Sequence, residues 1–476
     1  MTGGVVAAID LGASSVRVLV ARVGPGQLAV EEVHRARNEP VALPDGLHWD
    51  VLRLHHEVVA GLRLAARAAD EIAGIAVDGW GIDYALLDED GSLLANPYHH
   101  RDPRHGRGVD IVHAAMEPRR LYERTGTQFL PFNTLYQLAA GQGHAAFDRA
   151  RTVLLIPDLI GFWLCGVVAA ERTNASTTGL LDVRTRSWAP DVLGAAGVSP
   201  SWLAPLCDAG EAAGPIRPAI ASETGLSPRV EVGHVGSHDT ASAVVAMPAV
   251  DDRVAFISCG TWSLVGIELS APLVTEAGRV ANFTNELGVD GRVRYLRNVM
   301  GLWLLQESLR AWERGGEPED LGRLLAAAAA LPAGGPVIDP DDPILLAPGD
   351  MPERIRDLCR RSGQPAPSSR AALARCVLDS LAAAYARAIA DATRLTGRDV
   401  RAIHLVGGGA RNELLCQLTA DATGLPVVAG PVEATAIGNA LVQARRLGFA
   451  RGDLDALRAL VRTHTAVARH EPRSRT

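Results

Sequence analysis

The segment Gly236-Ser237-His238-Asp239-Thr240-Ala241 sits between an alternating apolar run over 230–235 and an apolar helical pattern starting at Ala243. A carboxylate at such a strand-to-helix junction can accept a proton from a hydroxyl. Taken alone, the segment reads rather as a helix N-cap, worth about 1 kcal/mol, and His238 as a surface or core histidine. A second acid, Asp10, ends an apolar run and is followed by Leu11-Gly12-Ala13-Ser14-Ser15-Val16-Arg17. In that turn, backbone N–H groups and two hydroxyls can face phosphate oxygens while the acid holds a hydrated Mg2+; an ordinary tight hairpin is the other reading. Gly260-Thr261-Trp262-Ser263 repeats the pattern after another apolar run, and two such turns would clasp a nucleotide.

Asp78-Gly79-Trp80-Gly81-Ile82-Asp83-Tyr84 joins glycines, an aromatic and two acids, the mixture that polyol recognition uses for hydroxyls and ring faces; for Asp78 a plain hairpin turn is the better reading. Tyr98-His99-His100-Arg101-Asp102 has two adjacent histidines, but neighbours on a strand point to opposite faces, which predicts a surface strand rather than a metal site. Over 297–306 the apolar residues follow a helical period, and Asn298 and Gln306 are its polar exceptions. Cys359 and Cys376 are spaced so that a bridge is feasible, with reduced thiols expected in a cytosolic chain.

Composition removes whole classes of chemistry. All 47 basic residues of the 476-residue chain are arginine. Without lysine there is no Walker-type phosphate loop, no protein-kinase strand lysine and no Schiff base. Phosphate handling would fall to backbone N–H groups, hydroxyls, arginine and a metal. The formal net charge of -7 offers no positive field for nucleic acid or an anionic membrane. The six cysteines form no CxxC pair or zinc-spaced cluster. No secretory pattern opens the chain, and the longest strongly apolar stretch, 159–170, is about half a membrane span. A cytoplasmic protein with small-molecule partners is expected.

The elements that must position these residues follow from periodicity. Strands are expected over 5–9, 16–23 and 28–34, a helix over 50–69, a buried strand over 72–77 and the first arm of a hairpin at 84–87, turning at Asp90-Gly91. The similarity of 5–23 to 254–269 suggests two related halves, with a boundary near 246–253. An alanine-rich helix over 370–396 leads to a strand at 403–406, three glycines at 407–409 and another helix from Asn412, an order suited to a nucleotide. The arginine-rich end, 470–476, is expected to fray.

As an ordered set, DLGASSVR, DGWGIDY, YHHRDPR, QFLPFNTLYQL, TNASTTGLLD, SHDTASAV, SCGTWSLVG, NFTNELG, NVMGLWLLQ, VGGGARNELLCQLTAD and AGPVEATAIGN resemble the FGGY carbohydrate kinases, most closely the branch acting on L-rhamnulose. The resemblance spans about residues 5–445. It implies an α/β, actin-like ATPase (ribonuclease H-like) fold of two lobes, 1–246 and 247–476, each a mixed sheet flanked by helices, with an interlobe active-site cleft. It implies ATP and Mg2+, with transfer of the γ-phosphoryl to O1 of L-rhamnulose. By motif, Ala13, Ser14, Ser15, Val16 and Arg17 correspond to the first phosphate loop, and Thr261, Gln306 and Gly408 to further nucleotide contacts. Gly81, His238, Asp239, Thr240 and Asn298 correspond to sugar positions, Asp239 to the general base and, with Asp10, to the metal site. Asp83 and Arg101 are added because a carboxylate and a guanidinium near Gly81 suit sugar hydroxyls; Trp80, Tyr84 and Phe132 are candidates for an apolar contact at C6. Val16 stands where the branch commonly has glycine, and the strand pattern around it predicts extended backbone; Cys259 replaces a usual serine. The alternatives are a fuculose or xylulose kinase of the same family, or a nucleotide-gated sugar sensor without turnover. The oligomeric state, monomer or weak dimer, is left open.

Overall fold

A computed structural model describes residues 3–473 and divides into two compact units. Unit 1 comprises 1–250, 268–295 and 433–465; unit 2 comprises 251–267, 296–432 and 466–476. The chain-order division at 246/247 and these units therefore differ, because two later segments join the first unit.

Unit 1 is built on a six-stranded mixed sheet ordered Ala212–Pro215, Glu231–Gly233, Gly74–Gly79, Gly4–Leu11, Ser15–Gly24 and Gln27–Arg37. Gly4–Leu11 is antiparallel to Ser15–Gly24 and parallel to Gly74–Gly79. Its side chains from Val6 to Leu11 are buried on both faces, which is why they read as a continuous apolar run rather than an alternation. One cover is the helix Val51–Ala68, capped by Asp50, whose side chain accepts from the Arg53 N–H; it buries Leu54, Val58, Leu62 and Ala65 on a helical period. The helix Ala434–Arg446 packs on Gly4–Leu11 and on the helix Asp239–Val245. At the second contact a Cβ on Gly438 would stand 1.8 Å from the Ser242 carbonyl oxygen. Gly438→Ala must therefore separate the two helices and is expected to lower stability by about 1–3 kcal/mol, the usual range for overpacking. Denaturant unfolding of the variant checks this; an unchanged midpoint would contradict the close approach.

Unit 2 repeats the design. Val254–Cys259 is antiparallel to Trp262–Leu269 and parallel to Ala402–Val406, which is parallel to Val427–Ala429. Ala468–His470 closes that edge antiparallel. The 27-residue helix Arg370–Thr396, capped by Ser369 and ended by left-handed Gly397, packs against Glu413–Thr423. Each unit thus places a hairpin beside a parallel strand, the internal similarity read from 5–23 and 254–269.

The expected hairpin turns at Asp90-Gly91, with Leu87 bridged to Leu93 and Leu94 N–H donating to Leu86 O, and on its other side Tyr84–Leu87 pairs in register with Thr152–Leu155. Two local expectations are corrected. Tyr98 bridges His48, but residues 99–102 form a turn rather than continuing a surface strand, and His99, His100, Arg101 and Asp102 are buried. The alternation argument fails there because a turn lets neighbours share a side; the two imidazole rings lie 4.3 Å apart. At the C-terminal end, His470 belongs to a strand rather than a frayed tail; residues 474–476 lie outside the described ones. Among the described residues no helix is long and apolar enough to cross a membrane.

Candidate active site

Strand register assembles the first cluster. Asp10 pairs with Arg17 across the hairpin and with Asp78 on the parallel strand. The Arg17 guanidinium bridges the Asp10 carboxylate and that of Glu433, which precedes the helix Ala434–Arg446. Asp78 is fully buried; its Oδ2 accepts from Asn439 Nδ2 at 2.5 Å, while its Oδ1 has no hydrogen-bond partner. Burial raises the Asp10 carboxyl, Arg17 opposes this, and the fields of Asp239 and Glu433 add to the rise. Asp78 is pushed well above the ordinary carboxylate range by burial and then by Asp10, with Asp239 contributing. Four carboxylates, Asp10, Asp78, Asp239 and Glu433, are thus linked through one another's fields beside the Arg17 guanidinium. That concentration of charge, with an orphaned buried oxygen on Asp78, is an environment a divalent cation would relieve. Among the described residues no three His, Cys, Asp or Glu side chains converge to grip a metal directly.

The turn that follows is tied down by its own backbone. Gly12 N–H donates to Ser15 O, Asn38 N–H to Ser14 O, and the Asn38 amide to Gly12 O. Ala13, Ser14 and Ser15 are half-buried. Val16 is fully buried in the strand, paired with Leu11 and Ala36, so its backbone is extended as the sequence pattern predicts and no glycine is needed.

The Ser237–Thr240 segment is stitched to the end of Gly74–Gly79 by Gly79 N–H donating to Ser237 O, at 2.9 Å, and by a bridge between Gly79 and His238. His238 is the N-cap of the helix Asp239–Val245, and Asp239 is its first residue. The cap reading of Asp239 is therefore corrected: its Oδ1 accepts from Thr240 Oγ1, at 3.1 Å, and its side chain keeps 32% of its surface exposed. His238 Nε2 lies 3.5 Å from Asp239 Oδ1. Behind the segment, the wholly buried Glu171 accepts from Ser237 N–H and Oγ, each at 2.9 Å. On the His238 side, Nδ1 lies 3.1 Å from Glu286 Oε2 and 3.1 Å from Arg294 Nη1, both in the interior.

Gly81 fits where only glycine does, since a Cβ would meet Thr177 Oγ1 at 2.7 Å. Ile82 takes a left-handed φ of 67°, rare for a β-branched residue. It is held by its N–H to Thr177 Oγ1 and its carbonyl from Thr134 Oγ1. Asp83 departs from its expected role. It has no exposed surface, and its carboxylate accepts from Trp49 Nε1 (2.7 Å), Trp80 Nε1 (2.9 Å), His100 Nδ1 (2.8 Å) and Gln137 Nε2 (2.9 Å). Three of those donors meet Oδ2 and one, Gln137, meets Oδ1; with no exposed surface, Asp83 braces the Gly81 turn rather than meeting sugar hydroxyls. Arg101 is buried in the neighbouring turn. Tyr84 packs on the cluster formed by Val112, Leu135 and Leu138, whereas Trp80 and Phe132 lie by the bracing network, against Trp49 and His100.

Unit 2 brings Thr261 to Gln306, Oγ1 to Oε1 at 3.4 Å, by folding the start of the helix Trp303–Arg314 onto the hairpin turn. Gly301 permits this: its Cβ would meet the Gly260 carbonyl oxygen at 2.8 Å. The 407–409 turn packs on the end of Val254–Cys259 so closely that a Cβ on Gly409 would fall 2.2 Å from Cys259 Sγ, while Gly408 faces open space. Cys259 itself points inward, near Ser263 and Tyr385. Asn298 lies half-buried on the strand Val293–Met300. The sequence reading gave no role to Glu171, Glu286, Arg294 or Glu433, although TNASTTGLLD, NFTNELG and AGPVEATAIGN flank or contain three of them.

Mixed sheets flanked by helices, each with a hairpin beside a parallel strand, give the chain an actin-like ATPase fold. It is similar in fold to gluconate kinase from Lactobacillus acidophilus (TM-score 0.78, 16% identity, 99% of this chain and 94% of that one). Xylulose kinase from Rhodospirillum rubrum matches with a TM-score of 0.76 at 21% identity, over 98% of this chain and 94% of the other. The chain belongs to the FGGY family of carbohydrate kinases, with residues 5–246 matching its N-terminal domain and residues 255–447 its C-terminal domain. It is 38% identical over 467 residues to a rhamnulokinase of Bacteroides thetaiotaomicron, covering 98% of this chain and 95% of that protein. It is 41% identical over 473 residues to a rhamnulokinase of Pectobacterium carotovorum, covering 98% and 93%.

Proposed function

We propose that this protein transfers the γ-phosphoryl group of ATP to O1 of L-rhamnulose, giving L-rhamnulose 1-phosphate and ADP in the cytoplasm. The observation that carries the reading is Asp239, a part-exposed carboxylate set among buried polar groups. The sugar is supported by similarity to rhamnulokinases over nearly the whole chain.

Asp239 takes the O1 proton as the new O1–P bond forms and the bond from Pγ to the departing ADP oxygen breaks. Gly81, Arg101, His238, Thr240 and Asn298 hold the sugar, with Asp83 bracing the turn that presents Gly81. Ala13, Ser14, Ser15, Val16, Arg17, Thr261, Gln306 and Gly408 hold the nucleotide through backbone N–H groups, hydroxyls and guanidinium. Mg2+, which Asp10 and Asp239 would hold through water, supplies charge neutralisation at the phosphates. No step calls for lysine.

A coupled ADP-release assay across a panel of ketoses tests the reading. L-Rhamnulose is expected to give the highest kcat/KM; a clear preference for xylulose or fuculose would move the protein to another substrate, and binding without ADP release would make it a sensor. The C6 methyl sharpens the test. Trp80 and Phe132 offer apolar surface near the Gly81 turn, and an apolar pocket rejects an added hydroxyl by only about 10²-fold. L-Fructose, which carries that hydroxyl, is thus expected to be about ten- to several-hundred-fold poorer in kcat/KM. Equal efficiency on the two ketoses would sink the deoxy-sugar assignment.

A further inference from the structure

Among the described residues four non-glycines take a positive φ, and of these only Ile82, at 67°, is β-branched, a type for which the left-handed region is costly. The conformation is fixed from several sides. Ile82 N–H donates to Thr177 Oγ1 at 3.3 Å, its carbonyl accepts from Thr134 Oγ1 at 2.7 Å and from Gln137 Nε2 at 3.4 Å, and across it Asp83 N–H donates to Gly81 O at 2.9 Å. Glycine would take this φ without steric cost. Core packing does not account for the side chain either: Ile82 is half-buried and belongs neither to the core around Leu11 nor to the one around Leu135. Strain that the surroundings hold in place points to a function of the strained residue.

The turn lies beside the segment that carries Asp239. Gly79 N–H donates to Ser237 O, and Asn174 joins the two: its Nδ2 donates to the same carbonyl at 3.4 Å, while its Oδ1 would lie 3.2 Å from a Cβ on Gly81. Three residues separate Gly79 from Ile82, at most about 10 Å of chain, a separation that a six-carbon ketose can bridge. Trp80 and Phe132 keep only 7% and 4% of their surface exposed, and Tyr84 packs on the Leu135 core. Ile82 is therefore the apolar side chain of the turn best placed to meet a ligand. We infer that Ile82, held by Thr134, Thr177 and Gln137, is a specificity-determining residue that sets its side chain against the C6 methyl of a 6-deoxyketose. A hydroxymethyl at the same place exchanges its hydrogen bonds to water for an apolar neighbour. The inference rests on the proposed sugar-kinase reading and names the residue that discriminates at C6.

The test compares the full-length wild type with Ile82→Gly on two ketose pairs that differ only at C6, L-rhamnulose with L-fructose and L-fuculose with L-tagatose. The quantity read is the deoxy-to-hydroxy ratio of kcat/KM, or of binding affinity if the protein binds ketoses without turnover. In Ile82→Gly the ratio for the preferred pair should fall about three- to tenfold, with KM for ATP unchanged. Its melting temperature should match or exceed that of the wild type, because glycine relieves the left-handed backbone. Ile82→Val, which keeps a β-branched apolar surface, should keep most of the ratio. Should Ile82→Gly not fold, Ile82→Asn takes its place: asparagine tolerates a positive φ and brings an amide to C6, so the preference should move toward the hydroxymethyl ketose. An unchanged ratio in the folded variant overturns the inference, and a lower melting temperature with it would assign the side chain to packing. A preference for L-fuculose with an Ile82-dependent ratio would sink the L-rhamnulose reading alone. A wild type that prefers a five-carbon ketose, or that ignores C6, would overturn both.

Discussion

Asp239→Asn is expected to lower kcat by roughly 10²-fold or more, the scale of general-base catalysis, with KM for the sugar little changed and the fold intact. The geometry makes the three parts separable. Asparagine has nearly the shape of aspartate and can still accept from Thr240 Oγ1, as the carboxylate does at 3.1 Å. It cannot take a proton from O1. Because His238, not Asp239, is the helix cap, the substitution removes no capping bond. It also removes one of the carboxylates whose fields raise Asp10 and Asp78, so thermal stability should hold or rise. Steady-state kinetics with a thermal melt on the same preparation check this. Near wild-type turnover would remove Asp239 from proton transfer, and a lower melting temperature with a matching loss of active protein would return it to a structural role.

The legible part of the site is the part written locally. An apolar run ending in Asp10, a small-residue turn and a second apolar run specify a hairpin, and its register delivers Arg17 to Asp10 without help from the rest of the chain. The same holds for the hairpin bearing Thr261. What could not be read is written across distance. Glu171 and Ser237 are 66 positions apart, and Arg294 and His238 are 56 apart. A buried charge leaves no periodic trace in its own segment, because its reason for being there is a partner elsewhere. Asp83 misled differently: its composition suited sugar hydroxyls, but the indoles, imidazole and amide that enclose it come from residues 49, 80, 100 and 137. The histidines at 99 and 100 failed because strand alternation was applied where the backbone turns. The return of 268–295 and 433–465 to unit 1 is likewise invisible to a reading that moves along the chain.

Asp83→Asn is expected to have the largest effect on stability, about 3–5 kcal/mol at pH 7, the usual consequence of removing one partner from a buried ionic network. Asparagine offers one oxygen where the carboxylate offers two. Its amide hydrogens would face the donors of Trp49, Trp80, His100 and Gln137, leaving at least one N–H in the interior without an acceptor. The effect should depend on pH in a set direction. Burial alone would raise the Asp83 carboxyl, but the facing His100 and the hydrogen bonds from His100, Gln137 and Trp49 outweigh it and hold it below its ordinary value. A carboxyl depressed in the folded state contributes its stability above the unfolded value, near pH 4, and loses it as pH falls through the folded one. The wild type should therefore lead the variant fully at pH 5–7, and the gap should narrow as pH drops below about 4, where Asp83 of the unfolded chain takes up a proton before the folded carboxyl does. Urea unfolding of both proteins at pH 7, 5 and 3 measures the difference. The Gly81 turn gives a second readout: with its brace weakened, KM for the sugar should rise while KM for ATP stays near its wild-type value. A gap independent of pH would place the loss in packing rather than in the carboxylate's charge, and unchanged stability at pH 7 would remove Asp83 as the brace of that turn.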